Sequence, residues 1–498
     1  MYEYEHKETL KASYLTLGCK LNFAETSTLA DRLYEIGIAR AAENEVADIC
    51  VINTCTVTET SNHKCRQAIS RMMRHNPGAM IVVMGCYAQL AGRELAKMDG
   101  VDVVIGMEDK GCAVEIIRDA YNDYIALATA GAADDTAAGD VATGDTASDA
   151  DNCAAACCGL AEDSATTAGS AKAGNAKPSL HRCHEAARKD IRTFVPSCSR
   201  GERTRFFLKV QDGCDYFCSY CTISNARGRS RNGSIESLVA QAEDAVRRGG
   251  REIVLTGVNT GDFGRSTGET FLDLIKALDK VEGVERYRIS SVEPNLLTTE
   301  IIDFCAASRH FMPHFHIPLQ SGSNDVLRLM RRRYDAQLFA SRVEYIRRVM
   351  PDAFIGVDII VGMRGETEEF FEDSLRFASS IDVSQYHVFS YSERPGTAAL
   401  RIPLVVDERE KHRRSKQLMA LSESKRVGFY ERYIGTVRPV LTEHSHAGFA
   451  AKGFTDNYIR VEIPSGVGLS LADNSIVKCR LTGFNPDKTA LLGEPLAD

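Results

Sequence analysis

Cys214, Cys218 and Cys221 form a Cys-x3-Cys-x2-Cys run. Three thiolates on one loop can hold three irons of a 4Fe-4S cube and leave the fourth iron open to a ligand. The competing chemistry is a zinc knuckle, but zinc takes four ligands and is commonly held by Cys-x2-Cys pairs, so the spacing favours the cube. A second set, Cys19, Cys55 and Cys86, is scattered along the chain, within Gly18-Cys-Lys-Leu-Asn22, Asn53-Thr-Cys-Thr-Val-Thr58 and Gly85-Cys-Tyr-Ala-Gln89. Each falls just past a predicted parallel strand. Loops at the carboxyl edge of such a sheet converge on one crevice, so these three thiolates can meet there and hold a second cluster. Any one of them alone reads as a buried apolar cysteine. Cys50, Cys65, Cys112, Cys305 and Cys479 lack that placement and read as structural.

The elements that must position these groups follow from hydrophobic periodicity. Over residues 10–122 an apolar run, a turn and an amphipathic stretch recur, predicting a parallel α/β sheet with strands at 13–17, 49–53, 80–84 and 102–105 and helices at 22–36 and 61–75. From about residue 203 the alternation returns for six units, with strands at 205–210, 252–256, 286–290, 314–318, 354–361 and 385–391. Helical patterns fill 235–248, 271–278, 324–331, 335–349 and 366–379. Six βα units are too few to close an eightfold barrel, so residues 200–432, which end in a basic helical connector, read as a partial (β/α)6 barrel with an open side. The first cysteine run then lies in the loop after the first barrel strand, where such barrels carry their catalytic groups. Short alternating stretches at 437–442, 458–463 and 475–481 predict a small β-barrel over residues 434–498, a form often used to bind oligonucleotides.

Composition sets the outer bounds. The chain has 498 residues, 44% hydrophobic and 26% charged, with no apolar run long enough for a membrane span and an acidic, polar start, so a cytoplasmic protein is expected. In a reducing compartment 16 cysteines point to metal rather than disulfides. The net charge of -8 argues against a nucleic-acid partner, yet residues 119–171 hold ten acidic residues and no Lys or Arg, and the rest is near neutral. Residues 123–190 read as a low-complexity acidic insertion, predicted to be disordered, whose Cys153, Cys157 and Cys158 read as adventitious.

The Cys-x3-Cys-x2-Cys spacing followed by six βα units resembles the radical S-adenosylmethionine (SAM) superfamily. That resemblance implies an open iron that chelates SAM and an electron that cleaves it to a 5'-deoxyadenosyl radical. With Cys19, Cys55 and Cys86 and the terminal β domain, nearly the whole chain outside the insertion resembles the methylthiotransferases. Gly18-Cys-Lys-Leu-Asn22, Asn53-Thr-Cys-Thr-Val-Thr58 and Cys86-Tyr-Ala-Gln89 are most similar to the branch acting on N6-threonylcarbamoyladenosine (t6A) in tRNA. Ala226-Arg-Gly-Arg-Ser-Arg231, Ser290-Ser-Val-Glu-Pro294, Gln320-Ser-Gly-Ser323, Arg331-Arg-Arg-Tyr334 and Arg394-Pro-Gly-Thr397 agree, and the end resembles an RNA-binding TRAM domain. The implied cofactors are two 4Fe-4S clusters and SAM. One SAM gives its methyl group, another becomes the radical, and the Cys19, Cys55 and Cys86 cluster carries or supplies sulfur. The product is the 2-methylthio derivative. The implied partners are a tRNA anticodon stem-loop, an electron donor such as flavodoxin or ferredoxin, and a sulfur source, with no membrane. Ser224-Asn225 and the Gly-Met-Arg-Gly-Glu of residues 362–366 depart from the family pattern near the expected pocket.

For substrate, the threonylcarbamoyl carboxylate suits a bidentate arginine, which makes Arg227, Arg229 and Arg231 candidates; the alternative is an ordinary solvated basic loop. For SAM the candidates by position are Gly257, Asn259, Glu293 and Gln320. Residues 435–498 carry six Lys or Arg against seven Asp or Glu, so RNA contact there would need a local face. Arg438, Lys452 and Arg460 could form it with Lys411, Arg413, Arg414 and Lys416 of the connector. Rival readings are the same chemistry on isopentenyladenosine or on a ribosomal-protein aspartate, or a non-catalytic iron-sulfur electron carrier or RNA-binding sensor. Three-cysteine ligation argues against a carrier, whose cluster is normally fully ligated.

Overall fold

The computed structural model describes residues 9–134, 180–199, 204–443, 449–465 and 471–496, so Cys153, Cys157 and Cys158 lie outside the described residues. The first domain is a parallel sheet in the order β2-β1-β3-β4-β5-β6, built from β1 (Lys11–Thr16), β2 (Ala39–Arg40), β3 (Ile49–Thr54), β4 (Met80–Gly85), β5 (Val103–Ile105) and β6 (Arg182–His184). β3 and β4 are buried at every position, as a parallel strand covered on both faces must be. Their period of two sorts the core: Ile49, Val51, Met80 and Val82 pack with Leu29, Leu33 and Ile117, while Cys50, Ile52, Ile81 and Val83 pack with Cys65 and Ile69. Two features differ from the sequence reading, which ended this domain at residue 122. The helix Ala113–Asp134 runs on because Tyr124 is still buried in the core, and β6 returns from beyond the insertion to join the sheet edge. Three polar residues, Arg-Cys-His, carry no strand pattern that could have announced β6.

The second domain contains β7 (Arg205–Lys209), a two-residue ladder of β8 (Gln211–Asp212) with β9 (Arg231–Asn232), and then β10 (Glu252–Thr256), β11 (Arg286–Ile289), β12 (His314–Gln320), β13 (Phe354–Val361) and β14 (Gln385–Ser390). β7-β10-β11 and β12-β13-β14 are parallel triplets, joined by the parallel bridges Tyr287–Phe311 and Ser291–His316. The result is an open six-stranded barrel. Its helices start where the sequence supplies a cap: Ser234, Thr270, Thr298, Asp335 and Thr367 each accept the N–H three residues on. Phe315, Ile317, Ile355, Val357 and Tyr386 pack outward against these helices, leaving His314, His316, Gly356, Asp358, Gln385 and His387 to line the lumen. One side of the lumen is therefore polar.

The third domain is a closed barrel of β15 (Val437–Glu443), β16 (Phe449–Thr455), β17 (Arg460–Pro464), β18 (Ile476–Phe484) and β19 (Leu491–Pro495), in the order β15-β16-β17-β19-β18. It docks under the amino-terminal ends of the second domain's strands. Arg286 donates to the carbonyls of Phe454 and Pro439, and Arg288 to those of Asp456 and Thr455. Both guanidinium groups also face buried Glu252. The first domain docks on the open side through helix Lys20–Glu35, whose Phe23 meets Phe207 edge to face at 5.8 Å while Ala24 joins the same apolar cluster.

Candidate active site

β1, β3 and β4 are neighbours in the sheet, so the loops bearing Cys19, Cys55 and Cys86 leave its carboxyl edge side by side. Two glycines let them come close. Gly18 has φ +99° and a Cβ there would lie 2.7 Å from Cys55 Cβ; Gly85 has φ +104° and a Cβ there would lie 2.4 Å from Asn53 Oδ1. Asn22 Nδ2 donates to the carbonyls of Leu17 and Thr54, and Asn53 Nδ2 to the carbonyl of Asn22, fastening the loops together. The three thiols line one cavity of about 700 Å³. Burial pushes Cys55 up to about 12, and Cys86 upward as well, and neighbouring cysteines of the set add to both shifts. Cys65, read as structural, bonds the backbone of Cys55 in both directions without lining the cavity.

Cys214, Cys218 and Cys221 line a second pocket of about 180 Å³ together with Asn259, Glu293 and Gln320. Gly257 lines the larger cavity instead. Tyr216 N–H donates to Cys214 Sγ at 3.5 Å, Ile223 N–H to Cys221 Sγ at 3.4 Å and Arg332 Nη1 to Cys218 Sγ at 3.0 Å. Arg332 also pairs with Glu293. Burial pushes Cys214 and Cys221 up to about 12. Such thiols stay protonated at neutral pH unless a metal displaces the proton. Among the described residues no three Cys, His, Asp or Glu side chains are arranged to share one metal ion. Both amide atoms of buried Asn259 lack a partner among the described residues, an opening for a polar cofactor group. Phe217, Gln320 and Arg331 hold positive φ without being glycine, and the first two line this pocket.

The pockets adjoin: Ile223, Val258, Ser291 and Asp358 line both. Between them runs a polar chain in which Ser291 Oγ meets His316 Nδ1 at 2.8 Å and His316 Nε2 meets Asp358 Oδ1 at 3.1 Å. Tyr458 of the third domain lines the larger cavity, as does Lys20, next to Cys19. Cavity solvent reaches Lys20, although protein surrounds most of it. That burial pushes its pKa down; Tyr458 opposes the shift and Arg205 and Arg288 reinforce it.

The arginine candidates do not act as a group. Arg227 is buried and donates to Glu25 Oε1 at 3.0 Å, Asp212 Oδ1 at 2.9 Å, Asn22 Oδ1 at 2.6 Å and Cys86 Sγ at 3.2 Å. Arg231 is buried on Asp212 and the carbonyls of Thr193, Arg227 and Arg229. Arg229 is exposed and lines neither pocket. The sequence signal missed here was the acids, Glu25 and Asp212, whose positions only the assembled interface relates. The basic connector is corrected too: Lys411 and Arg414 are buried, Arg414 on Glu366, and Arg413 pairs with Glu368 and Glu410, leaving Lys416 exposed. In the terminal barrel Arg438 is bound to Asp352 and Asp456, while Arg460 is exposed. Of the two departures from the family pattern, Ser224 lines the smaller pocket, whereas residues 362–366 fold on themselves, with Glu366 accepting Gly362 N–H. Arg394, from another of the quoted stretches, ties the domains through Thr56 and Glu59.

An open six-stranded barrel with three cysteines in its first carboxyl-edge loop defines a radical SAM enzyme, and residues 208–378 match the model of the Radical SAM superfamily. Residues 11–106 match an uncharacterized protein family, UPF0004. The chain is 34% identical over 455 residues to the threonylcarbamoyladenosine tRNA methylthiotransferase MtaB of Bacillus subtilis (strain 168), covering 90% of this chain and 89% of that protein. It is 32% identical to the protein of the same name from Aquifex aeolicus (strain VF5), covering 91% and 96%. A tRNA-2-methylthio-N(6)-dimethylallyladenosine synthase of Syntrophotalea carbinolica is 27% identical, covering 88% and 89%. Among solved structures, the radical SAM methyltransferase TsrM of Kitasatospora setae shares the fold with a TM-score of 0.52 at 14% identity, over 78% of this chain and 77% of that one. The chain belongs to the threonylcarbamoyladenosine tRNA methylthiotransferase family. It is a radical SAM methylthiotransferase that modifies tRNA, with SAM and 4Fe-4S iron-sulfur as its cofactors. No helix among the described residues is long and apolar enough to cross a membrane.

Proposed function

We propose that the enzyme methylthiolates C2 of t6A next to the anticodon. Cys214, Cys218 and Cys221 hold the cluster that binds SAM, and Cys19, Cys55 and Cys86 hold an auxiliary cluster. The observation that carries this reading is the shared wall: Ile223, Val258, Ser291 and Asp358 separate two cysteine triads that open on adjoining spaces. The clusters and SAM, when bound, supply the electron, sulfur, methyl group and radical chemistry that an unactivated aromatic C–H requires. The chain supplies position. Asn259, Glu293 and Gln320 line the smaller pocket, where SAM's amino acid group needs polar partners, and Arg332 fixes Glu293 while donating to Cys218. The Ser291–His316–Asp358 chain holds the imidazole in one orientation on the wall that the purine must pass. All three domains contribute to the wall of this cavity, which limits the water around the reacting carbon. The target adenosine reaches the cavity by splaying out of its loop, which single-stranded RNA permits at modest cost. Substrate assignment follows the relatives named for t6A at 32–34% identity over the 27% identity of the dimethylallyl relative. A cytoplasmic location, an external electron donor such as flavodoxin or ferredoxin and a sulfur source complete the proposal.

Mass spectrometry of tRNA nucleosides from cells with and without the gene tests it. Loss of 2-methylthio-t6A with accumulation of t6A is expected. Loss of a methylthio isopentenyladenosine instead, or of no methylthio nucleoside, would refute the substrate.

A further inference from the structure

The charged residues lining the 700 Å³ cavity are Lys20, Arg227 and Asp358. Arg227 is satisfied by Glu25, Asp212 and Asn22, and Asp358 by His316. Lys20 makes no hydrogen bond or ion pair among the described residues. Around it stand imidazole and phenol groups: His314 and His387 from the barrel and Tyr458 from the terminal domain line the same space. Glu252, the nearby acid, is already taken by Arg288. The cavity therefore offers one cation with spare hydrogen-bonding capacity, directly after a cysteine of the auxiliary triad. A neutral, apolar N6 substituent would desolvate that ammonium with nothing in return, whereas a carboxylate would compensate it.

We propose that Lys20 is the specificity-determining residue of this enzyme, its ammonium pairing with the carboxylate on the N6 side group of the target adenosine. This takes over the role that the sequence reading gave to Arg227, Arg229 and Arg231, and it rests on the t6A reading above.

The test uses cluster-loaded protein without SAM and measures binding of anticodon stem-loops carrying t6A, its threonyl methyl ester, or unmodified adenosine. Wild type should bind t6A about 10- to 100-fold more tightly than the ester, the range expected for a charge-assisted contact. K20M should bind acid and ester alike, near the wild-type level for the ester, and K20R should keep part of the preference. Iron content checks that each variant is loaded. Equal wild-type affinity for acid and ester, in an enzyme that still methylthiolates t6A, would overturn the role of Lys20 and leave the substrate standing. K20M keeping the full preference would do the same. A wild type that neither prefers t6A over adenosine nor methylthiolates it would overturn the substrate itself.

Discussion

Replacing Arg227 with Met, which keeps the length and removes the charge, should lower the reduction potential of the auxiliary cluster proposed on Cys19, Cys55 and Cys86 by roughly 100 mV and weaken the docking of the first two domains. Arg227, Lys209, Lys110 and Arg231 converge on only two carboxylates, Glu25 and Asp212, and all six side chains are buried. This leaves two surplus positive charges beside Cys86. A buried excess of that kind is costly unless an anion answers it, and a cluster held by three thiolates is negative. Removing one unit charge about 5 Å from the cluster, at an effective dielectric near 20, changes its interaction by roughly 3 kcal/mol. For a one-electron couple that is on the order of 100 mV, in the direction that disfavours reduction. Glu25 and Asp212 retain Lys110, Lys209 and Arg231, so the stability loss should stay near the lower end of the roughly 3–5 kcal/mol seen when a buried pair is broken. Redox titration followed by electron paramagnetic resonance reads the potential, with R227K as the variant that keeps the charge. An R227M protein with full iron content and an unmoved auxiliary potential would refute the counter-charge argument.

Four further outcomes follow from the geometry. Changing Cys19, Cys55 and Cys86 together to Ala should leave about four irons per chain rather than about eight, with SAM cleavage retained and methylthiolation lost; iron assay and product analysis check this. N259A should weaken SAM binding about tenfold without destabilising the fold, since neither amide atom has a partner among the described residues; calorimetry showing unchanged affinity would count against it. R288M should strip a buried guanidinium from Glu252, Thr455 and Asp456 and loosen the terminal barrel by about 3 kcal/mol, seen as faster proteolysis at that junction. Glu25 and Asp212 are held far below the ordinary carboxylate value by Arg227, Lys110 and Lys209 and by Lys209, Arg227 and Arg231 against the effect of burial. Their contribution is fully present above the unfolded pKa near 4 and is lost only as pH falls through their much lower folded values, so unfolding midpoints between pH 7 and pH 5 should not move on their account.

The main parallel strands and both cysteine triads were legible because those strands are largely apolar runs of the right length and the cysteines follow their carboxyl ends, whereas the two-residue strands β2, β8 and β9 and the barrel strands β16 and β19 were not read. β6 was not, since Arg182-Cys-His184 gains its strand geometry only from pairing with β5. The inner face of the barrel was legible in principle: His314, His316 and Gln385, His387 alternate along runs already recognised as strands. The fate of Arg227 was not, because its partners lie 202 and 15 residues away, and a basic loop next to an acid-free stretch looks solvated in one dimension. Connector residues Lys411 and Arg414 misled for the same reason, their acids coming partly from a neighbouring helix.

The cavity floor has a consequence for how the enzyme is made. Cys19 and Lys20 emerge from the ribosome first, the six barrel strands follow, and Tyr458, which lines the same space, comes after all of them. A nascent chain can thus acquire both cysteine triads while the chamber is still open at the bottom. Cofactors can be loaded, and water can enter, before the terminal barrel brings the carbonyls of Pro439, Phe454, Thr455 and Asp456 onto Arg286 and Arg288 and closes that end. Vectorial synthesis thereby orders the assembly: the cavity wall that Tyr458 supplies is complete only once the last domain is in place.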